Sequence, residues 1–521
     1  MPMPSYDAIV IGGGSNGLAC ATKLQASGRK VLVLETNDKP GGAACGWEFA
    51  PGFRTPGLAH LVNMLDPRVE TGMALARHGL GYSTPSLTST ALAANGGHLI
   101  LEGAYGARLT GDLGDADRAA WAALREQLLS FASGLAPFRS ITPPRLCKGA
   151  GNETLKLARL GLGLRMMGKV RFREFLRMVL INVHDVLNDE LSDARLKGLV
   201  AFDATLGSWL GPRSPNSLIL LLNRLAGEVA GERAALAFPR GGMEAVAAAM
   251  TKAAEAEGVI IRTHERVASL VVDGDRVTGL TLNSGEEIRA RTVVSAINPK
   301  TTFLELVGPR HLDAGFVRRI QDQKSRGAAA KLHLALSGTP DFRGADLNSR
   351  LVIAPSEDAV ELAFNAVKYN EVPAEPVMEI IVPSAHDESF APAGRHVLSA
   401  IVQYAPHAPK AGQDVARAEM LTNSLAVLEA YAPGIGRLII KAEMLMPYDI
   451  AARSGMVGGN WHHGELSVEQ MLFLRPLPGI AQYATPLSGL WLAGAGCHPG
   501  GGISGAAGWN AAEAMIKRGP P

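Results

Sequence analysis

Three shortages narrow the chain before any motif is considered: few cysteines, few aromatic residues and almost no net charge. The 521 residues include only four cysteines, Cys20, Cys45, Cys147 and Cys497, and no two of them stand close together. Disulfide reductases need two neighbouring thiols beside their redox cofactor. Cys45 follows a Gly-Gly pair at a suggestive position, but the next thiol is Cys147, so no dithiol mechanism is expected. Cys20 falls inside the first helix and is expected to be a buried apolar residue. Sparse, unpaired cysteines fit a reducing compartment, and a cytoplasmic location is expected. A formal charge of +2 gives no global attraction for nucleic acid. No apolar run reaches the roughly eighteen residues that span a bilayer. Only Met1–Ser5 precede the first strand, so no basic apolar leader is expected, and no internal repeat is visible. Metal is not expected either. His462 and His463 are adjacent, so their rings point in different directions, and no nearby cysteine or acid triad completes a ligand set.

What the chain has is ample core and abundant turns. Hydrophobic residues make up 47%, with 59 glycines and 31 prolines, and the length exceeds what one core organises, so two domains are expected. The first element is an apolar strand, Asp7–Ile11, that runs straight into Gly12-Gly13-Gly14-Ser15-Asn16-Gly17. A helix over about residues 15–27 closes at Gly28, and a second strand, Lys30–Glu35, ends on an acid. Strand, glycines, helix, strand and acid arrive in the order of a dinucleotide-binding βαβ unit. Gly12 permits the tight turn, Gly14 lets backbone approach a pyrophosphate, and Gly17 lets the helix pack on the strand. The first helical amides, at Ser15 and Asn16, point toward the phosphates. Glu35, with Thr36 beside it, sits where a carboxylate accepts the adenosine ribose hydroxyls.

Two further glycine clusters choose the dinucleotide. A nicotinamide dehydrogenase needs only the βαβ unit, whereas Gly41-Gly42 is the extension expected where backbone passes close to FAD. Near the far end, Gly489-Leu-Trp-Leu-Ala-Gly494 reads as a short strand. Cys497-His498-Pro499-Gly500-Gly501-Gly502 then leads into a helix expected over about residues 503–517. A helix start at Gly501, Gly502 and Ile503 would offer unpaired amides and a positive dipole end to the N1/O2 side of a flavin.

At these residues the chain resembles the phytoene desaturase and carotenoid isomerase family of FAD oxidoreductases, and in particular its pyridine nucleotide-disulfide oxidoreductase domain-containing branch. The resemblance runs nearly end to end, through Phe238-Pro-Arg-Gly-Gly-Met243, His396–Tyr404, Gly458-Gly-Asn-Trp-His462 and Gly494–Gly502. It implies noncovalent FAD and redox or isomerisation chemistry on a long, apolar, conjugated substrate such as a polyene or isoprenoid. It also implies that the segment at Leu58 runs past the flavin, and that Val267 meets the adenine through its backbone.

The fold expected is α/β: a discontinuous Rossmann-like FAD-binding domain of the glutathione reductase and amine oxidase type, with an α+β substrate domain. Residues 1–85, 238–305 and 457–521 are assigned to the first domain. Residues 86–237, expected to give helices, and 306–456, expected to give sheet, are assigned to the second. The middle piece reads as a helix over 242–257, a strand over 259–263, and a meander turned at Asp273-Gly-Asp275 and Asn283-Ser-Gly285. Only one dinucleotide fold is found, since Gly161-Leu-Gly163 lacks a third glycine and a preceding strand. Without a nicotinamide domain, electrons are expected to leave to a diffusible acceptor such as oxygen or a quinone, unless the reaction is redox-neutral.

Two features remain. Residues 145–180 carry nine basic residues against the acids Glu153 and Glu174. Arg165, Lys169, Arg173 and Arg177 recur every four residues beside an apolar stripe of Phe172, Phe175, Leu176 and Val179. Such a helix either packs on the substrate domain or rests on an anionic membrane, which makes 145–180 the candidate peripheral membrane contact. For proton transfer the candidates are His60, His462 and His498, with Trp461 as a further polar group; each histidine has the alternative of a hydrogen-bonded structural role. A flavin amine oxidase shares the expected fold but wants an aromatic cage, and aromatic residues are only 5% of the chain. A non-catalytic FAD-binding scaffold is the remaining alternative.

Overall fold

A computed structural model of the chain describes residues 6–145, 155, 158, 161–163 and 165–519. Met1–Ser5, Cys147 and part of the basic stretch, including Glu153, therefore lie outside the described residues. Two large sheets organise the rest. The first has parallel strands in the order Ile260–Arg262, Val31–Leu34, Tyr6–Ile11, Glu287–Ser295, extended by the antiparallel Arg276–Leu282 and Val267–Asp273. Leu490–Leu492 also pairs in parallel with Glu287–Ser295. The inner strands bury both faces, Val31–Leu34 completely, and accordingly read as continuous apolar runs. All three expected pieces of the FAD-binding domain contribute strands to this one sheet.

The first crossover helix is Ser15–Gln25, and it packs against the C-terminal helix Ala506–Arg518. Two glycines set the spacing. A Cβ on Gly17 would fall 1.9 Å from the Gly12 carbonyl oxygen, and one on Gly508 would fall 1.8 Å from that of Asn16. No side chain fits at either position. The C-terminal helix starts at Ala506, not at 503, because residues 501–503 form a bend and Gly505 adopts φ +67° just before the first turn.

The second sheet has eight strands: Ile439–Leu445, Ala329–Leu336, His396–Gln403, Val377–Ile381, Arg350–Ile353, Ser89–Ala91, Leu99–Glu102 and Arg108–Thr110, in spatial order. The last three correct the expectation that residues 86–237 supply only helices. They are three or four residues long, too short for alternation to show in sequence. Side chains alternate across this sheet. Leu332, Leu334, Leu351, Met378, Ile380, Leu398 and Ala400 share a core with Met420 and Leu428 of helix Gln413–Tyr431. The intervening positions, Lys331, His333, Arg350 and Glu379, point to the opposite face. On that side lie the helices of 86–237, among them Ala194–Thr205 and Ser217–Leu225.

Candidate active site

One cavity of about 970 Å³ runs from the glycine turn of the first domain to the alternate face of the second sheet. Gly12, Gly14, Ser15, Asn16 and Gly17 form one end of its wall, with Glu35, Thr36, Gly41, Gly42, Leu58, Val267, Gly502 and Ile503 further along. Gly12 has φ +98°, and a Cβ on Gly14 would meet nothing within 4 Å, so this stretch of backbone is bare toward the cavity. Glu35 is buried and already oriented: its carboxylate accepts from the Gly13 amide at 2.8 Å, and from the Asn37 amide and Nδ2 at 3.0 and 2.9 Å. Two residues assigned to this wall lie beside it instead. Gly494 packs against the backbone of Ala296, where an added Cβ would come within 2.5 Å, and Gly501 is covered by the ring of His462.

The Gly458–His462 segment is held by its own backbone demands. Gly459 has φ +70°, and a Cβ there would strike the Pro447 carbonyl oxygen at 2.0 Å. Asn460 donates to the Arg326 carbonyl at 2.9 Å and accepts the His462 amide at 3.0 Å, which fixes the turn that presents Trp461 and His462 to the cavity. Trp461 Nε1 donates to His462 Nε2 at 3.0 Å. Burial pushes His462 down to about 3, so the ring is neutral and its proton sits on Nδ1. That Nδ1 is buried and makes no hydrogen bond within the protein. It packs against Gly501, behind the cavity wall. The bare glycine backbone and the oriented Glu35 both fit FAD.

The three candidate histidines part company here. His498 is not on the cavity wall; it is buried, its Nε2 donates to the Phe138 carbonyl at 2.6 Å, and it ties the C-terminal loop to helix Asp115–Arg139. A role in proton transfer is withdrawn for it. His60 does line the cavity, at the centre of a charged cluster that sequence reasoning missed. Its Nε2 donates to Glu379 at 2.7 Å, and its Nδ1 accepts from Lys331 Nζ at 2.8 Å. Glu379 also accepts from Arg350 Nε at 2.5 Å, and Arg350 Nη2 donates to Asp203. Burial, then the Lys331 charge, takes His60 down to about 4, so it is a neutral ring with both nitrogens occupied. Burial also brings Lys331 down to about 7, against the pull of Glu379. Arg350 and His60 hold the Glu379 carboxyl well below the usual range despite its burial. The cluster is therefore a carboxylate-anchored relay with one member, Lys331, that titrates near neutrality. Its sequence signal was present: single charges at alternate positions of otherwise apolar strands, as in Ala329-Ala-Lys-Leu-His-Leu334 and Val377-Met-Glu-Ile-Ile381.

Cys45 is a protonated thiol: burial and the neighbouring acids push it up to about 12, and Cys20, Cys45 and Cys497 are all unbridged. Among the described residues no group of three or more metal-ligating side chains occurs.

The flavin-containing amine oxidoreductase family matches residues 17–516 of this sequence. The chain belongs to that family. FAD is its cofactor, and it is an FAD-dependent oxidoreductase. Pyridine nucleotide-disulfide oxidoreductase domain-containing protein 2 of Rattus norvegicus is 32% identical, over 99% of this chain and 94% of its own length. The lycopene-forming phytoene desaturase of Pantoea ananas is more distant, at 24% identity over 96% of each chain. Among solved structures, wild-type putrescine oxidase bound to putrescine superposes with a TM-score of 0.59, covering 98% of this chain and 99% of that one at 17% identity, a likeness of fold. Among the described residues no helix is long and apolar enough to cross a membrane.

Proposed function

We propose that this flavoenzyme dehydrogenates a predominantly apolar substrate of isoprenoid or polyene type, and passes the electrons to a diffusible acceptor such as oxygen or a quinone. The observation that carries this is the single cavity joining the dinucleotide wall to the alternate face of the second sheet. FAD, when bound noncovalently, supplies a two-electron hydride acceptor. The protein's own tasks are to exclude water, to position a C–H bond and to manage one proton. Leu58, Leu206, Leu220, Leu466 and Ile401 supply apolar wall. A proton taken up at the His60 cluster settles on Lys331, because the Glu379 carboxyl is held ionised by Arg350.

An amine oxidase reading is weaker. Trp461 is the one phenyl- or indole-type ring on the wall among the described residues, so there is no aromatic cage. Of the acids on the wall, Asp203 and Glu379, beside the second sheet, are already paired with Arg350, with Arg224 close by, which leaves that pair little pull on a protonated amine. The test is anaerobic mixing of the purified protein with isoprenoid hydrocarbons, polyene precursors and alkylamines. The protein is expected to be yellow, to release intact FAD on heat denaturation, and to have its flavin bleached by a member of the isoprenoid set. Bleaching by amines alone would favour the amine oxidase reading. Flavin that responds to neither class would favour a scaffold, and flavin that stays with the precipitated chain would refute noncovalent binding.

A cytoplasmic enzyme with such a substrate needs to collect it, and we propose peripheral contact with anionic membrane through the basic stretch. The structure changes which residues would make that contact. Of the expected apolar stripe, Phe175 is buried against Phe131, and Phe172 and Val179 are half-buried on the same side. The outer face of helix Lys169–Leu180 instead mixes Lys169, Arg173 and Arg177 with the exposed Val170, Leu176 and Leu180, and Met166 just before it is 79% exposed. Each basic residue near an anionic surface contributes about 1 kcal/mol, screened by salt. Salt-sensitive flotation with anionic liposomes is expected, reduced when Lys169, Arg173 and Arg177 are changed to Glu. Absence of flotation at low salt would end this proposal.

A further inference from the structure

Arg224 stands at the junction between the main cavity and a small side pocket behind Asp203, and it lines both. Its side chain is 16% exposed, yet its guanidinium donates no hydrogen bond to any described residue. Its nearest charges are Asp203 Oδ1 at 3.6 Å and Glu379 Oε2 at 3.8 Å, both beyond hydrogen-bond reach. Those two carboxylates are already taken by Arg350 and, in the case of Glu379, by His60. A guanidinium carries five donors in a planar fork, and leaving them unused in a nearly closed site is costly. Helix Ser217–Leu225 holds Arg224 there by burying Leu218, Leu221, Leu222 and Leu225.

Two neutral groups at the same junction are also uncommitted. Asn63 lines both cavities, and its side-chain amide makes no hydrogen bond to a described residue. Tyr105 lines the side pocket, and its hydroxyl is buried without a hydrogen-bond partner among the described residues. The charge balance points the same way. Arg224 and Arg350 offset Asp203 and Glu379, so that protonation of Lys331 leaves one cationic charge in excess.

We propose that the substrate is an apolar molecule bearing a carboxylate, and that this carboxylate docks on the Arg224 guanidinium with Asn63 as a further donor. This rests on reading the cavity as the place where substrate meets flavin, and it names the end group that the cavity selects. A carboxylate accepts two parallel hydrogen bonds from one guanidinium, which an alcohol or hydrocarbon does not. The apolar body then lies along the leucine-lined wall, and the anchored end fixes which carbon is presented to the flavin. Selection here is by a polar group that must be satisfied, which discriminates more sharply than apolar surface of the same size.

The test is titration of the oxidised holoenzyme with farnesoic acid, its methyl ester, farnesol and farnesene, followed by the shift of the flavin absorbance spectrum. The acid is expected to bind on the order of 10- to 100-fold more tightly than the alcohol or the ester. That advantage is expected to disappear in Arg224→Met and to survive in part in Arg224→Lys, which keeps the charge without the fork. If Arg224→Met does not fold, the comparison among the four ligands on the wild type and on Arg224→Lys decides alone. An acid that binds no better than the alcohol, or an advantage that persists in Arg224→Met, overturns the carboxylate proposal while leaving the cavity reading in place. Failure of all four to perturb the flavin overturns both.

Discussion

Arg350→Met is expected to lower folding stability by about 3–5 kcal/mol, measured as the shift in denaturant midpoint, because it strands two buried carboxylates at once. Arg350 is 1% exposed and bridges Asp203 on a helix to Glu379 on the neighbouring strand of the second sheet. Its methylenes could be replaced by methionine; its charge could not. Arg224, with its guanidinium 3.6 and 3.8 Å from the same two acids, offers partial compensation if it swings inward. The loss therefore depends on pH. In the wild type Glu379 titrates below its ordinary range, so its contribution is present above about pH 4.3 and is lost as pH falls through the depressed folded value. In the variant, burial without arginine raises the carboxyl pKa in the folded state above the unfolded one. The sign then reverses, and stability relative to wild type falls as pH rises from about 5 to 8. Combining Arg350→Met with Asp203→Asn and Glu379→Gln removes the stranded charges, and that triple variant is expected to regain part of the loss. A single variant as stable as the wild type at pH 8 would show that the cluster is solvated and not a closed ion network.

The dinucleotide half of the site was legible in the chain because its parts are local. Turn, helix and acid fall between Gly12 and Glu35, and each carries a residue type that its backbone geometry demands. The meander over Val267–Ser295 was legible for the same reason, since its two turns are marked by Asp-Gly and Ser-Gly steps. The charged cluster was not. His60 comes from a loop, Asp203 from a helix, and Lys331, Arg350 and Glu379 from three strands, so their meeting depends on the order of strands in a sheet that no short motif encodes. His498 shows the converse error. It sits in a family-specific glycine motif, but packing turned its ring toward the Phe138 carbonyl of helix Asp115–Arg139. At the C-terminal helix, glycines that read as a helix start proved to be a bend, because Gly505 takes the left-handed conformation and delays the first turn to Ala506.

Glu35→Ala is expected to purify largely as apoprotein that remains folded, with FAD affinity reduced roughly 10- to 100-fold. Two effects combine. The ribose loses a charged acceptor on the cavity wall. The glycine turn also loses its tether, since the Gly13 amide donates to Glu35 at 2.8 Å and Asn37 donates twice to the same carboxylate. The first effect acts on FAD affinity alone, whereas the second also lowers the stability of the apoprotein. Glu35→Gln separates them in part. An amide of the same length keeps one oxygen for the Gly13 amide but sets its NH2 against the two Asn37 donors, so apoprotein stability should fall, though by less than in Glu35→Ala. Its affinity for FAD should still fall, because the uncharged acceptor forms weaker hydrogen bonds to ribose hydroxyls. Fluorescence titration of stripped protein with FAD, alongside thermal unfolding of the same apoproteins, reads both quantities. Equal FAD occupancy in wild type and Glu35→Ala would mean that the ribose is held by other residues, and the carboxylate would then be left with the turn as its only task.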